Sequence, residues 1–204
     1  MPQQERSKKK VEWILESATR HFELNGFATT TNHIAETAGV SIGTLYEYYP
    51  DKQALLGALG ERHVQEAEHR TEQLLARWQS NPSGEPDSAL DDLVQFVLVT
   101  NTPNPRLQRL LASSAKLFPD LLSRAQAMQI RLVTGFAGAW SNELLATEAH
   151  ARAELLITSL AGAAHAIPPR TATPMQWHEH VRSMAHTFSN LLSFRSANPT
   201  CELS

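Results

Sequence analysis

An all-α fold is what this sequence predicts, with a three-helix head at the N-terminus and a larger helical domain after it. Three observations predict it. Apolar residues recur three and four apart along successive segments, and no segment keeps the period of two that a half-buried strand needs. Clusters of Gly, Pro and Asn stand between those segments, where helices stop. The stretch Thr30–Lys52, TTNHIAETAGVSIGTLYEYYPDK, holds two short helical patterns folded about one glycine.

The first helix is expected from about Ser7 to Leu24. Val11, Ile14, Leu15, Ala18 and Phe22 form one apolar stripe, and Gly26 ends it. Lys8, Lys9 and Lys10 then fall in its first turn, where a cation opposes the helix dipole. A second helix is expected over about Thr31 to Ala38, capped by Thr30, with Ile34, Ala35 and Ala38 on its apolar face. Gly39 supplies the positive φ of a sharp turn, and Val40 plugs the corner. Ser41 caps a third helix, about Ile42 to Tyr48, which faces the second through Leu45 and Tyr48. Two helices this short and this tightly joined make a helix-turn-helix, a unit whose second helix enters the major groove of DNA. Beside it, the three lysines become a basic arm for the DNA backbone or minor groove.

Asp51 caps a long fourth helix, about Lys52 to Gln79, with Leu56, Leu59, His63, Ala67, Leu74 and Trp78 along one stripe. Lys52, in its first turn, gains from a phosphate at that helix end. The breaker loop NPSGEP follows. Further helices are expected at about Asp87 to Thr100, Pro105 to Ala115, and Pro119 to Leu145. The last two run from Glu148, capped by Thr147, to Ala166, and from Pro174 to Phe194. The domain boundary is placed between residues 52 and 53, giving a DNA-binding domain at 1–52 and a helical regulatory domain at 53–204.

At 204 residues, 42% hydrophobic and 19% charged, the chain suits a folded protein with a core in each domain. There is no run of about 18 apolar residues to span a membrane. The N-terminus lacks the apolar stretch of a secretory signal. The lone Cys201 fits a reducing compartment, so the expected location is the cytoplasm. Net charge is −3, and residues 1–52 carry six Lys or Arg against seven Asp or Glu. A balance this acidic predicts few phosphate contacts and a shallow salt dependence. Nine histidines raise the question of metal, but Glu66 and His69 form a single Glu-x-x-His with no second copy. His178 and His180, two apart, do not share a helix face. No phosphate loop or nucleophile motif is present, so no catalytic residue, metal or cofactor is assigned.

Residues 30–56, TTNHIAETAGVSIGTLYEYYPDKQALL, with Gly26–Phe27 before them, resemble the DNA-binding domain of the TetR family of bacterial transcriptional regulators. The resemblance covers about the first quarter of the chain; beyond it only length and helical character agree. It implies a homodimeric regulator, usually a repressor, released from a DNA operator by a small molecule. By position, Thr31, Tyr46 and Lys52 match phosphate contacts. Asn32, Ile42, Gly43 and Thr44 occupy the DNA-facing first turns, flanked by the caps Thr30 and Ser41, and Tyr49 reaches the backbone. Asn32 stands where arginine is common and can pair with adenine; Ile42 stands where a polar residue is common and can touch only a thymine methyl or the backbone.

The resemblance further implies a ligand cavity in the middle helices and dimerisation through the last two. Aromatic, flexible or mildly polar residues on the relevant stripes are the cavity candidates: His63, Trp78, Phe96, Phe118, Met128, Phe136, Trp140 and His165. Few charges line those stripes, so the expected effector is apolar or aromatic. The eighth and ninth helices carry an apolar band too wide for one neighbour. Leu156, Leu160, Ala163, Ala164, Val181, Ala185, Phe188 and Leu192 are the interface candidates. A two-fold pairing would present two recognition helices to two half-sites. Two alternatives stay open: a regulator of the same fold with a filled interior, and an all-α enzyme with an incidental helix-turn-helix.

Overall fold

The computed structural model describes residues 3–80, 86–101, 104–140, 146–165 and 174–193. Those residues are helical throughout apart from turns: α1 Gln3–Asn25, α2 Thr31–Thr37, α3 Ile42–Tyr48, α4 Lys52–Ser80, α5 Pro86–Asn101, α6 Pro105–Ser113, α7 Pro119–Trp140, α8 Ala146–His165 and α9 Pro174–Ser193. Short 3-10 turns, Gly26–Ala28 and Ala115–Leu117, precede α2 and α7. Two helix starts differ in ways that move residues singled out above. α1 begins at Gln3, so Lys8–Lys10 lie in its second turn rather than its first. α8 begins at Ala146, so Thr147 is already helical and is not the cap. Residues 141–145, expected to extend α7, lie outside the described residues.

Two compact units result. The first takes α1, α2, α3, α4 as far as Glu68, α6, and α7 as far as Gln126. Its core is Ile14, Ala18 and Phe22 from α1, Ile34 and Ala35 from α2, Leu45 from α3, Leu55, Leu56 and Leu59 from α4, and Leu107 from α6. Packing therefore does not divide the chain at residues 52 and 53. The head alone has too little apolar surface to close its core, and α4 and α6 complete it. Gly57 has a packing role: a Cβ there would lie 2.8 Å from the Phe118 ring, so the missing side chain lets Phe118 rest on α4.

The second unit takes α4 from His69, α5, α7 from Ala127, α8 and α9. Its core includes Trp78, Leu90, Leu93, Val94, Leu132, Phe136, Leu156, Leu160, Val181 and Ala185. α5 packs on both α8 and α9, which also pack on each other. This corrects the interface expectation. Leu156, Leu160, Val181 and Ala185 are buried in the chain's own core. The stripe expected to face a partner is the one that faces α5. Among the described residues, the large apolar side chains exposed on α8 and α9 are Leu155, at 58% exposure, Met175 and Phe188. Ala163 is half-buried, and the side chains of Ala164 and Leu192 lie outside the described residues.

Candidate nucleic-acid interface

Local chemistry fixes the corner between α2 and α3. The Thr30 hydroxyl oxygen accepts from the His33 N–H at 3.3 Å, and Ser41 Oγ accepts from the Thr44 N–H at 3.0 Å. Both residues of the expected contact set thus act as caps. Gly39 has φ +67°, the left-handed conformation that costs a side-chain-bearing residue dearly. Around it, the Gly39 N–H donates to Glu36 O and the Val40 N–H to Ala35 O, a Schellman closure. Leu45 is fully buried, which locks the rotation of α3. Ser17 of α1, not singled out in the sequence, donates its hydroxyl to Ile34 O at 2.8 Å and ties α2 down.

With Leu45 inward, Ile42, Gly43, Tyr46 and Glu47 are exposed on α3 and Thr44 is half-buried. Tyr46 is 48% exposed and its hydroxyl lies 3.0 Å from that of Thr31. Either can donate, and the bond links α2 to α3 at the surface. Asn32 is exposed, and its side-chain amide makes no hydrogen bond among the described residues. Lys8, Lys9 and Lys10 are exposed on α1. The Tyr48 hydroxyl lies 2.9 Å from Ser7 Oγ, which brings the end of α3 to the start of this basic segment.

Two members of the expected set are placed otherwise. The Lys52 ammonium donates to Phe27 O at 2.8 Å and Thr29 O at 3.0 Å. It also sits 4.6 Å from the centre of the Phe27 ring. Lys52 is thus a clasp across the corner between α1 and α2, not a cation held out for phosphate. The sequence placed it correctly at the start of α4, where the Asp51 carboxylate accepts from the Ala54 N–H at 2.7 Å. Nothing in the sequence marks two carbonyls more than twenty residues upstream as its partners. Tyr49 is packed against the hydrophobic core. Burial raises its phenol pKa, against an opposing pull from the charge of Arg62. It is therefore not a free backbone-reaching side chain.

The cavity candidates do not share one core. Phe118 packs on the core of the first unit, and His63 Nδ1 of that unit lies 3.0 Å from Gln108 Nε2. Trp78 and Phe136 are core residues of the second unit, with Phe96 and Met128 packed against it. The stripe on α4 runs through two cores, so helical periodicity alone could not separate them. The side chains of Trp140 and His165 lie outside the described residues. Among the described residues no group of three His, Cys, Asp or Glu could hold a metal ion, and no helix is long and apolar enough to cross a membrane.

Residues 14–59 match the family model described as bacterial regulatory proteins, tetR family. The chain is 30% identical over 111 residues to the nucleoid occlusion factor SlmA of Haemophilus influenzae. That alignment covers 53% of this chain and 48% of the relative, so the chain spans about half the length of the curated protein it matches. Among solved structures, a transcriptional regulator from Rhodococcus sp. RHA1 superposes with a TM-score of 0.65 at 19% identity, covering 88% of this chain and 95% of that one. The TetR family regulator PfmR of Thermus thermophilus does so with a TM-score of 0.65 at 17% identity, covering 86% and 96%. At such identities the structural likeness speaks for the fold alone.

Proposed function

We propose that this chain is a DNA-binding transcriptional regulator of the TetR family, acting as a homodimeric repressor released from its operator by a small apolar or aromatic effector; the match of residues 14–59 to that family supports the reading. The observation that carries the DNA part is α3 itself. Its one fully buried side chain, Leu45, fixes its rotation, and its exposed face presents Ile42, Gly43 and Tyr46 beside Asn32 and Thr31 of α2. Phosphate contacts fall to neutral hydroxyls, Thr31 and Tyr46, and to Lys8, Lys9 and Lys10; base edges fall to Asn32, Ile42, Gly43 and Thr44.

Dimerisation is supported by Leu155 and Phe188, large apolar side chains left exposed on α8 and α9 while neighbouring apolar positions are buried. An effector is supported by the second unit's core, where the indole N–H groups of Trp78 and Trp177 are buried without a hydrogen-bond partner among the described residues. A buried unpaired donor costs about 1–3 kcal/mol, which an acceptor on a bound molecule would recover. A second reading has its own observation. Phe136 is fully buried, and at Gly135 an added Cβ would lie 2.3 Å from Leu75 Cδ2, so part of this core is filled. The regulator would then answer to a protein partner or to nothing.

The test is selection of duplexes from a random library by the full chain, followed by a panel of neutral aromatic compounds against the retained DNA. Enrichment of paired half-sites and release by some compounds are the expected results. Enrichment without release by any compound favours the second reading. No enrichment contradicts the DNA-binding assignment.

A further inference from the structure

Between Arg20 and Lys52 the chain has no Lys or Arg, while Glu23, Glu36, Glu47 and Asp51 fall in the same interval. Both helices of the helix-turn-helix lie inside it. The surface that meets base edges therefore has no Lys or Arg side chain of its own. Guanine is read most often by Arg or Lys on O6 and N7, and this surface cannot make that contact.

What it offers instead is specific. The Asn32 amide is exposed and uncommitted, with the donor and acceptor needed for N6 and N7 of adenine. Ile42, the first residue of α3, is 37% exposed, and a branched apolar side chain at a base edge fits the C5-methyl of thymine. Gly43 follows it. A Cβ there would meet only Ser41 Oγ, at 3.8 Å, so no packing requires glycine; its absent side chain lets a base edge come close to the backbone beside Ile42. The Ser41 hydroxyl donates to Thr44 Oγ1 at 2.9 Å. That leaves Thr44 its own proton, which suits thymine O4 or a purine N7. Glu47 can only accept, and it lies one turn further along α3 than Gly43. The exposed His33 ring is stacked on His21 of α1, with centroids 6.2 Å apart.

We infer that this surface selects half-sites centred on A·T pairs, with Asn32 on an adenine and Ile42 against a thymine methyl group. The inference rests on the DNA-binding reading and adds the chemistry of the sequence that is bound.

The test replaces single bases in the duplexes selected by the full chain. Deoxyuridine for thymidine removes only the methyl group. At one position in one half-site it should weaken binding by about fourfold, the worth of one buried methyl. With Ile42→Ala that difference between thymine and uracil should vanish. Replacing adenine by 7-deazaadenine removes the N7 acceptor and should cost at least about fivefold at one position, a penalty absent in Asn32→Ala. Selected half-sites centred on G·C pairs, or uracil tolerated at every position, would overturn this inference and leave the DNA-binding reading intact. Failure to retain any duplex would overturn both.

Discussion

Lys52 shows how far a single residue can be placed from sequence. Its position beside the recognition unit was legible, because Asp51 is a recognisable cap and Lys52 follows it. Its task was not, because the partners are backbone carbonyls, which carry no sequence signature. Two charge-assisted bonds and a cation–π contact close the corner between α1 and α2. A phosphate contact would add about one to the salt slope of DNA binding, whereas a clasp adds nothing to it. For Lys52→Ala we therefore expect a loss of about 1–2 kcal/mol in thermal or denaturant unfolding. DNA affinity should fall alike on all sequences with the salt slope unchanged. A slope lower by about one, with stability intact, would return Lys52 to the phosphate contacts.

At the scale of elements, every described helix was legible from periodicity and breakers, within a few residues at each end. Their partners were less so. α6 is one of the middle helices that the resemblance assigns to a cavity, yet Leu107 enters the core of the first unit. Its first turn is capped from α1, where a Glu23 carboxylate oxygen accepts from the Leu107 N–H at 2.9 Å. Arg106 returns the contact by donating to Leu24 O at 3.2 Å. Such cross-element caps replace the local one that Asn104 does not make, and local rules cannot find them. α7 is held to α4 in the same way. Arg124 donates to both oxygens of Glu61 and to both of Glu68. The Arg124 hydrogen bond holds the Glu61 carboxyl below its ordinary pKa, assisted by Gln65 and opposed by desolvation and by Glu68. A depressed folded pKa stabilises above the ordinary carboxylate value, and that stability is lost as pH falls through the depressed one. Arg124→Met should thus lower the melting temperature near neutral pH, and the difference from the parent should shrink below about pH 4. A constant difference down to pH 2 would mean that the side chain contributes only by packing.

For the whole molecule, the helix-turn-helix was legible in detail and the rest of the chain only in outline. A helix-turn-helix is defined by neighbours in sequence: two caps, one left-handed glycine and one buried leucine. A dimer face is defined by what remains after the chain's own core is built, and α8 has apolar residues on two faces. Periodicity chose Leu156 and Leu160, and the packing left Leu155 and Phe188 outside. If those two form the centre of a two-fold interface, Leu155→Glu or Phe188→Glu places an unpaired carboxylate there. Light scattering should then give monomers, and operator binding should weaken steeply, because one recognition helix reads only a few base pairs. Intact dimers from both variants would place the interface elsewhere.

The most direct measurement is the equilibrium affinity of Thr44→Ala and Tyr46→Ala for a duplex that the unaltered chain selects, with helicity and dimer mass recorded on the same samples. Both side chains reach the outer face of α3, and neither belongs to the hydrophobic core. We expect each variant to keep its helicity and dimer mass and to lose more than about tenfold in affinity, with Thr44→Ala also relaxing base preference. Unchanged affinity in both variants, with the fold intact, would contradict the assignment of α3 as the helix that reads DNA.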